Sequence, residues 1–143
     1  MNQTLSLQKP VAVVVVDHGS RRAASNEMLL DVVELFRQTS PWPIVEAAHM
    51  ELASPSIADA FARCVEQGAK TVVVSPWFLS PGRHWAQDIP RLAAEAASSH
   101  AGVEFLVSAP LGLHSLMTQV LQERIQHCLQ HAAGEVEACG VCK

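Results

Sequence analysis

The stretch VAVVVVDHGSRR, residues 11–22, decides the fold. Its apolar part, residues 11–16, is a continuous run that is typical of a central parallel strand covered on both faces. The run ends in Asp17 and His18, which a glycine, a serine and two arginines follow. A buried strand that leads directly into an imidazole and two cations indicates a functional loop at its carboxyl end.

The rest of the chain alternates between strand and helix patterns. Apolar residues repeat at helical spacing from 28 to 36, a mixed strand follows over 44–49, and a helix runs from Ser54-Pro55 to Gly68. We predict a third strand over 71–78, a loop over 79–87, a helix to residue 97, a fourth strand over 103–107 and a long last helix. This order predicts an α/β fold, namely a four-stranded parallel sheet in the order 2-1-3-4 with helices on both faces.

Composition and charge exclude several classes of protein. The 143 residues suit one domain, predicted over residues 1–133, with a cysteine-containing tail over 134–143. A formal net charge of −4 without a basic stripe argues against a nucleic-acid partner. No apolar run reaches the roughly 18 residues of a membrane helix, so no membrane partner is expected. Cys64 and Cys128 fall in apolar helical patterns and are predicted to be buried thiols.

Three metal-affine side chains follow the ends of successive strands. His18 follows strand 1, Glu51 follows strand 2 and His84 follows strand 3. Because neighbouring strands lie about 4.8 Å apart, these side chains are expected to converge on one point. Alone, each would more often be structural, but together two imidazoles and a carboxylate form a ligand set for a divalent first-row metal with open positions for substrate.

Apolar and cationic residues surround this predicted metal centre. Of Trp77 and Phe78, one is expected to pack in the core and the other to face the site, because side chains alternate along a strand. The residues predicted to wall a flat apolar ligand are Met50, Trp77, Leu79 and Trp85.

A cationic rim is predicted from Arg21, Arg22 and Arg83. The first two are expected in the first turn of a helix, where cations oppose the helix dipole, and this cost suggests that they bind anions. Ser20 and Ser80 are candidate partners for ligand carboxylates and are also ordinary turn residues. Apolar walls, a metal-affine centre and a cationic rim suit a flat, polycarboxylated ligand that takes a metal in its middle, which is a tetrapyrrole.

The motifs at these strand ends resemble those of the small class II chelatases. The matching stretches are VDHGSRR, PIVEAAHMELASPSIADAF, VVVSPWFLSPGRHWAQDIP and APLGLH. They run in order from about residue 11 to residue 131. The details PGRHW, RIQHCL and the C-x-x-C tail look most like the plant-type sirohydrochlorin ferrochelatases.

The resemblance implies a flavodoxin-like half-unit that forms a homodimer. It implies insertion of Fe²⁺ into sirohydrochlorin to give siroheme, and relatives often accept Co²⁺ as well. The family's metal-site and catalytic residues carry over to His18, Glu51 and His84, without deciding which histidine is the base and which the ligand. A tetrapyrrole or metal carrier without insertion activity is the alternative function.

The tail and the compartment are less firmly indicated by the resemblance. Cys139 and Cys142 form a C-x-x-C pair, for which three roles are open: part of a [2Fe-2S] cluster shared across a dimer, a redox disulfide, or none. The plant-type resemblance implies the chloroplast stroma, while the bare sequence is compatible with the cytoplasm.

Overall fold

The computed structural model describes residues 7–141. Its elements, in chain order, are β1 (Val11–Asp17), α1 (Ala23–Thr39), β2 (Ile44–His49), α2 (Ile57–Glu66), β3 (Thr71–Pro76), a π-helical turn (His84–Asp88), α3 (Ile89–Ser98), β4 (Glu104–Val107) and α4 (Ser115–Ala132). They fall into two compact units, one ending at Gly112 and one beginning at Leu113.

The sheet confirms the predicted topology. Its four strands are parallel and lie in the order β2-β1-β3-β4. Val16 of β1 lies opposite Ala48 of β2 and Pro76 of β3. These three strands therefore end at the same level, and the loops that follow them share one edge of the sheet.

The valines of β1 supply both faces of the core. Ala12, Val14 and Val16 point into a cluster with α2 and α3, whose centre includes the fully buried Phe61. Val13 and Val15 point the other way and pack with Leu29 and Val33 of α1. Helices thus cover both faces, as the unbroken valine run predicts for a central strand.

A capping box fixes the start of α2 behind the second strand-end loop. The Ser56 hydroxyl accepts a hydrogen bond from the Asp59 amide at 3.1 Å, and the Asp59 carboxylate accepts one from the Ser56 amide at 3.0 Å. Such reciprocal bonds satisfy amides that the helix itself leaves unpaired. They also hold the pKa of Asp59 below its ordinary value, because the Ser56 amide and hydroxyl bond to the ionised form.

Some predicted boundaries and burials are wrong. Strand β3 ends at Pro76, two residues early, and α1 begins only at Ala23, so the arginine pair precedes the helix instead of occupying its first turn. The expected 79–87 loop ends in the π-helical turn. Cys128 is exposed, whereas Cys64 is buried, and burial raises the pKa of its thiol to about 12.

The second unit is built around α4. The His114 side chain accepts a hydrogen bond from the Leu116 amide at 3.1 Å and so caps the start of the helix. Leu113, Leu116, Leu121 and Leu129 are all more than half exposed. Within residues 7–141, we find no helix that is both long enough and apolar enough to cross a membrane.

Candidate functional site

Two histidines meet at the carboxyl edge of the sheet. His18 follows β1, and His84 opens the π-helical turn before α3. Their ring centroids lie 4.6 Å apart in an edge-to-face arrangement, and Phe78 stacks on His18 with centroids 4.5 Å apart. Phe78 itself is buried in the core, so a fixed aromatic plane supports the His18 imidazole.

An aspartate–histidine pair that the sequence analysis did not single out holds the first two strand ends together. The Asp17 carboxylate accepts a hydrogen bond from the Gly19 amide at 2.9 Å and contacts His49 Nδ1 at 2.6 Å. His49 is 1% exposed, so a partner for its ring nitrogen is required. The strand register could have indicated this pair, because Asp17 and His49 lie opposite each other on neighbouring strands.

The loops after β1 and β2 also touch through their backbones. The Met50 amide donates to the Asp17 carbonyl at 2.9 Å, and the Glu51 amide donates to the His18 carbonyl at 3.1 Å. Gly19 has a φ of +81°, and a Cβ placed on it would overlap the Glu51 carbonyl oxygen. Only glycine fits this position, since both the φ and the close approach exclude a side chain.

The predicted three-donor metal set is only partly assembled. His18 and His84 are in contact, and Glu51 reaches His18 through its backbone while its side chain is exposed to solvent. Within the part of the chain that the structure describes, no three His, Cys, Asp or Glu side chains are grouped closely enough to hold a metal ion. The role of Glu51 as a ligand stays a prediction.

His84 has a carboxylate partner in the same turn. Its Nδ1 lies 2.7 Å from Asp88 Oδ2, and the side chains are 41% and 24% exposed. The sequence does contain this signal, because the two residues are four positions apart. A spacing of four residues brings two side chains together in a helix but not in a loop. Because residues 79–87 were predicted to form a loop, the partner Asp88 was missed.

The predicted apolar wall is divided between core and surface. Trp77 is 39% exposed and lines a groove of about 240 Å³, which confirms that one of the Trp77–Phe78 pair faces outward. Leu79 is 63% exposed. Met50 and Trp85 pack partly against the core, so they are less available to a ligand than expected. The groove is lined by Asp17, His18, Gly19, Ser25, Met28, Leu29 and Trp77, and its α1 residues were not predicted.

The cationic rim is fully at the surface. Arg21, Arg22 and Arg83 are exposed, as is Ser80. Ser20 has a local structural role, because its hydroxyl accepts a hydrogen bond from the Arg22 amide at 3.0 Å. Ligand binding by these arginines and serines stays a prediction.

The cysteine pair of the tail is described only in part. Cys139 is exposed, and Cys142 lies outside the described residues. A [2Fe-2S] cluster needs four thiolates, and the raised pKa of Cys64 makes that buried thiol a poor donor. Among the described residues, no group of three His, Cys, Asp or Glu side chains could hold a metal centre, and the role of the Cys139–Cys142 pair stays a prediction.

The fold and the site together define a class of protein, a flavodoxin-like α/β unit with paired imidazoles at its topological switch point. The profile of the CbiX family matches residues 12–128, and the chain belongs to this family. It is 57% identical over 130 residues to the chloroplastic sirohydrochlorin ferrochelatase of Arabidopsis thaliana, covering 91% of this chain and 58% of that one. A sirohydrochlorin cobaltochelatase of Methanocaldococcus jannaschii is 42% identical, over 62% of each chain.

Solved structures agree with the fold. The CbiX protein of Marinobacter aquaeolei is similar with a TM-score of 0.75 and 26% identity, covering 85% of this chain and 99% of that one. SirB from Bacillus subtilis, solved with Fe³⁺, gives a TM-score of 0.79 at 27% identity and covers 84% and 48%. The chain spans less than two thirds of the length of the Arabidopsis and Methanocaldococcus relatives.

Proposed function

We propose that this protein is a sirohydrochlorin ferrochelatase, which inserts Fe²⁺ into sirohydrochlorin, releases two protons and forms siroheme. The observation that carries the proposal is the contact between the His18 and His84 imidazoles at the carboxyl edge of the sheet. The name of the Arabidopsis relative, 57% identical over most of this chain, supports the choice of substrate.

Paired imidazoles suit the chemistry of metal insertion. The two pyrrole N–H groups of the macrocycle must lose their protons as the metal enters. A neutral imidazole accepts a proton near neutral pH and also binds first-row divalent metals. One histidine of the pair can therefore present the metal while the other removes a proton.

An incomplete ligand set is an advantage for an enzyme that passes its metal on. Two imidazoles with an exposed carboxylate nearby bind Fe²⁺ more weakly than a closed tetrahedral site would, so transfer to the macrocycle is favourable. We propose that Glu51 completes the set when the metal arrives, by rotation of its exposed side chain. The same donor types suit Co²⁺, and the cobaltochelatase relatives support the proposal that this protein also accepts it.

The active form is proposed to be a homodimer. The groove beside His18, about 240 Å³, is smaller than the pockets that usually enclose even drug-sized ligands, so one chain leaves a macrocycle largely uncovered. The exposed leucines of α4 are of the kind that protein interfaces bury. The chain also covers 48% of the Bacillus SirB chain, which is the share expected of a half-unit.

The chloroplast stroma is the proposed compartment, supported by the chloroplastic name of the Arabidopsis relative. Fractionation of cells that express the protein, with markers for stroma and cytoplasm, tests this assignment. Recovery in the cytoplasm alone would contradict it.

Anaerobic metallation of sirohydrochlorin, followed by absorbance with Fe²⁺ and with Co²⁺, tests the function. Wild type should exceed the spontaneous rate, and His18→Ala and His84→Ala should each lose at least about 100-fold, the usual contribution of a general base. His100→Ala, a histidine substitution outside both the imidazole pair and α4, is the matched control and should retain activity. Tight pigment binding without acceleration would instead identify a carrier, and acceleration that survives both substitutions would refute the site.

A further inference from the structure

Asp88 contacts His84 but has no role in the metal insertion proposed above. Its Oδ2 lies 2.7 Å from His84 Nδ1, while its Oδ1 lies 3.9 Å from a guanidinium nitrogen of Arg91. Arg91 is in turn bound to Glu95 at 2.8 Å on the same helix. The Asp88 carboxylate therefore lies between the His84 imidazole and the Arg91 guanidinium, which is itself bound to Glu95.

The local backbone explains why these two side chains meet. Residues 84–88 form a π-helical turn, in which the Ile89 amide donates to the His84 carbonyl. Single π-helical turns are uncommon and occur frequently at functional sites. Here the turn places His84 against His18 at its start and Asp88 against His84 at its end.

The hydrogen bond decides which nitrogen of His84 is available for chemistry. An ionised carboxylate only accepts hydrogen bonds, so its partner Nδ1 must carry a proton. In a neutral imidazole the other nitrogen, Nε2, then holds the lone pair. A carboxylate in this position also fixes the orientation of the ring.

We propose that Asp88 is a positioning residue, which holds His84 in the Nδ1–H form so that Nε2 is presented to the incoming metal or the pyrrole proton. Its effect on catalysis rests on the proposed chelatase function, but its effect on the tautomer does not. Because Asp88 acts through its contact with His84, it should change the rate of metallation and leave the affinity for the macrocycle unchanged.

Nitrogen-15 NMR of the metal-free protein tests the tautomer directly, with labelled histidine at a pH where imidazoles are neutral. Wild type should show His84 protonated at Nδ1. Asp88→Ala removes the carboxylate that accepts from Nδ1, so the population of the Nδ1–H form should fall. Unchanged signals of His100 and His114 would show that the variant is folded. A His84 tautomer that is the same in both proteins would overturn the proposal.

Metallation kinetics provide the second measurement. Asp88→Asn and Asp88→Ala should lower kcat about 10–100-fold with little change in KM for the macrocycle, and Asp88→Glu should recover part of the loss. Asp31→Asn, the same substitution at an exposed carboxylate on α1, is the matched control and should match wild type. An Asp88→Ala enzyme with wild-type kcat would refute the role in catalysis. If wild type itself fails to accelerate metallation, the proposed function fails, while the NMR result still decides the role of Asp88.

Discussion

Substitution of Gly19 by alanine tests the contact that joins the first two strand-end loops. The residue has a φ of +81°, and an alanine Cβ would overlap the Glu51 carbonyl oxygen and lie 3.1 Å from the Cβ of His49. The left-handed conformation alone costs about 1–2 kcal/mol for a residue with a side chain. Forcing a methyl group into an occupied space adds about 1–3 kcal/mol. Gly19→Ala should therefore destabilise the protein by about 2–5 kcal/mol.

Gly102 provides a matched control for this experiment. It has the same φ of +81°, but nothing lies within 4 Å of the position that a Cβ would occupy. Gly102→Ala has the cost of the left-handed conformation without the overlap. An alanine also restricts the unfolded chain, and any gain in stability from this restriction is common to both variants.

Urea unfolding gives the free energies that the comparison needs. Gly19→Ala should be less stable than Gly102→Ala by about 1–3 kcal/mol, the cost of the overlap alone. The same overlap displaces the loops that carry His18 and Glu51, so Gly19→Ala should also lose metallation activity that Gly102→Ala keeps. Equal stabilities of the two variants would refute the close contact between Gly19 and Glu51.

Two further predictions follow from the shifted pKa values. The pKa of Asp59 lies below its ordinary 3.8, so its stabilising effect is complete above that pH and disappears as the pH falls through the folded-state pKa. The stability difference between wild type and Asp59→Asn should therefore shrink in urea titrations below about pH 4. The Cys64 thiol is buried and its pKa is raised to about 12, so it should resist a thiol reagent until the protein unfolds. Rapid labelling of native Cys64 would contradict its burial.

The fold was predictable from sequence because a strand that is buried on both faces has a continuous run of apolar residues. The valine run of β1 and the regular alternation of strands and helices leave few topologies other than 2-1-3-4. Hydrophobicity does not show where the backbone leaves the sheet, which is why β3 ends before Trp77 despite the apolar residues that follow. Cys128 matched an apolar helical pattern, but α4 is exposed along most of its length in the single chain.

The sequence predicted which types of residue form the candidate site and that these residues follow the ends of strands. His18 and His84 meet because both follow neighbouring strands of the parallel sheet. Two carboxylate–histidine pairs were missed, since Asp17 pairs with His49, 32 positions away, and the contact of Asp88 with His84 depends on a π-helical turn. Such pairings depend on the three-dimensional structure, and the local sequence indicates them only weakly.

The packing of Gly19 against Glu51 has a consequence for protein engineering. Residues 17–20 and 49–51 are joined by backbone hydrogen bonds and by the Asp17–His49 pair, so a chimera that exchanges one loop without the other would combine backbones that do not fit. The segment 79–88 carries His84 together with its own carboxylate, but His84 also contacts His18 in the first of the joined loops. Selection for a different metal should therefore vary this segment and the joined pair of loops together.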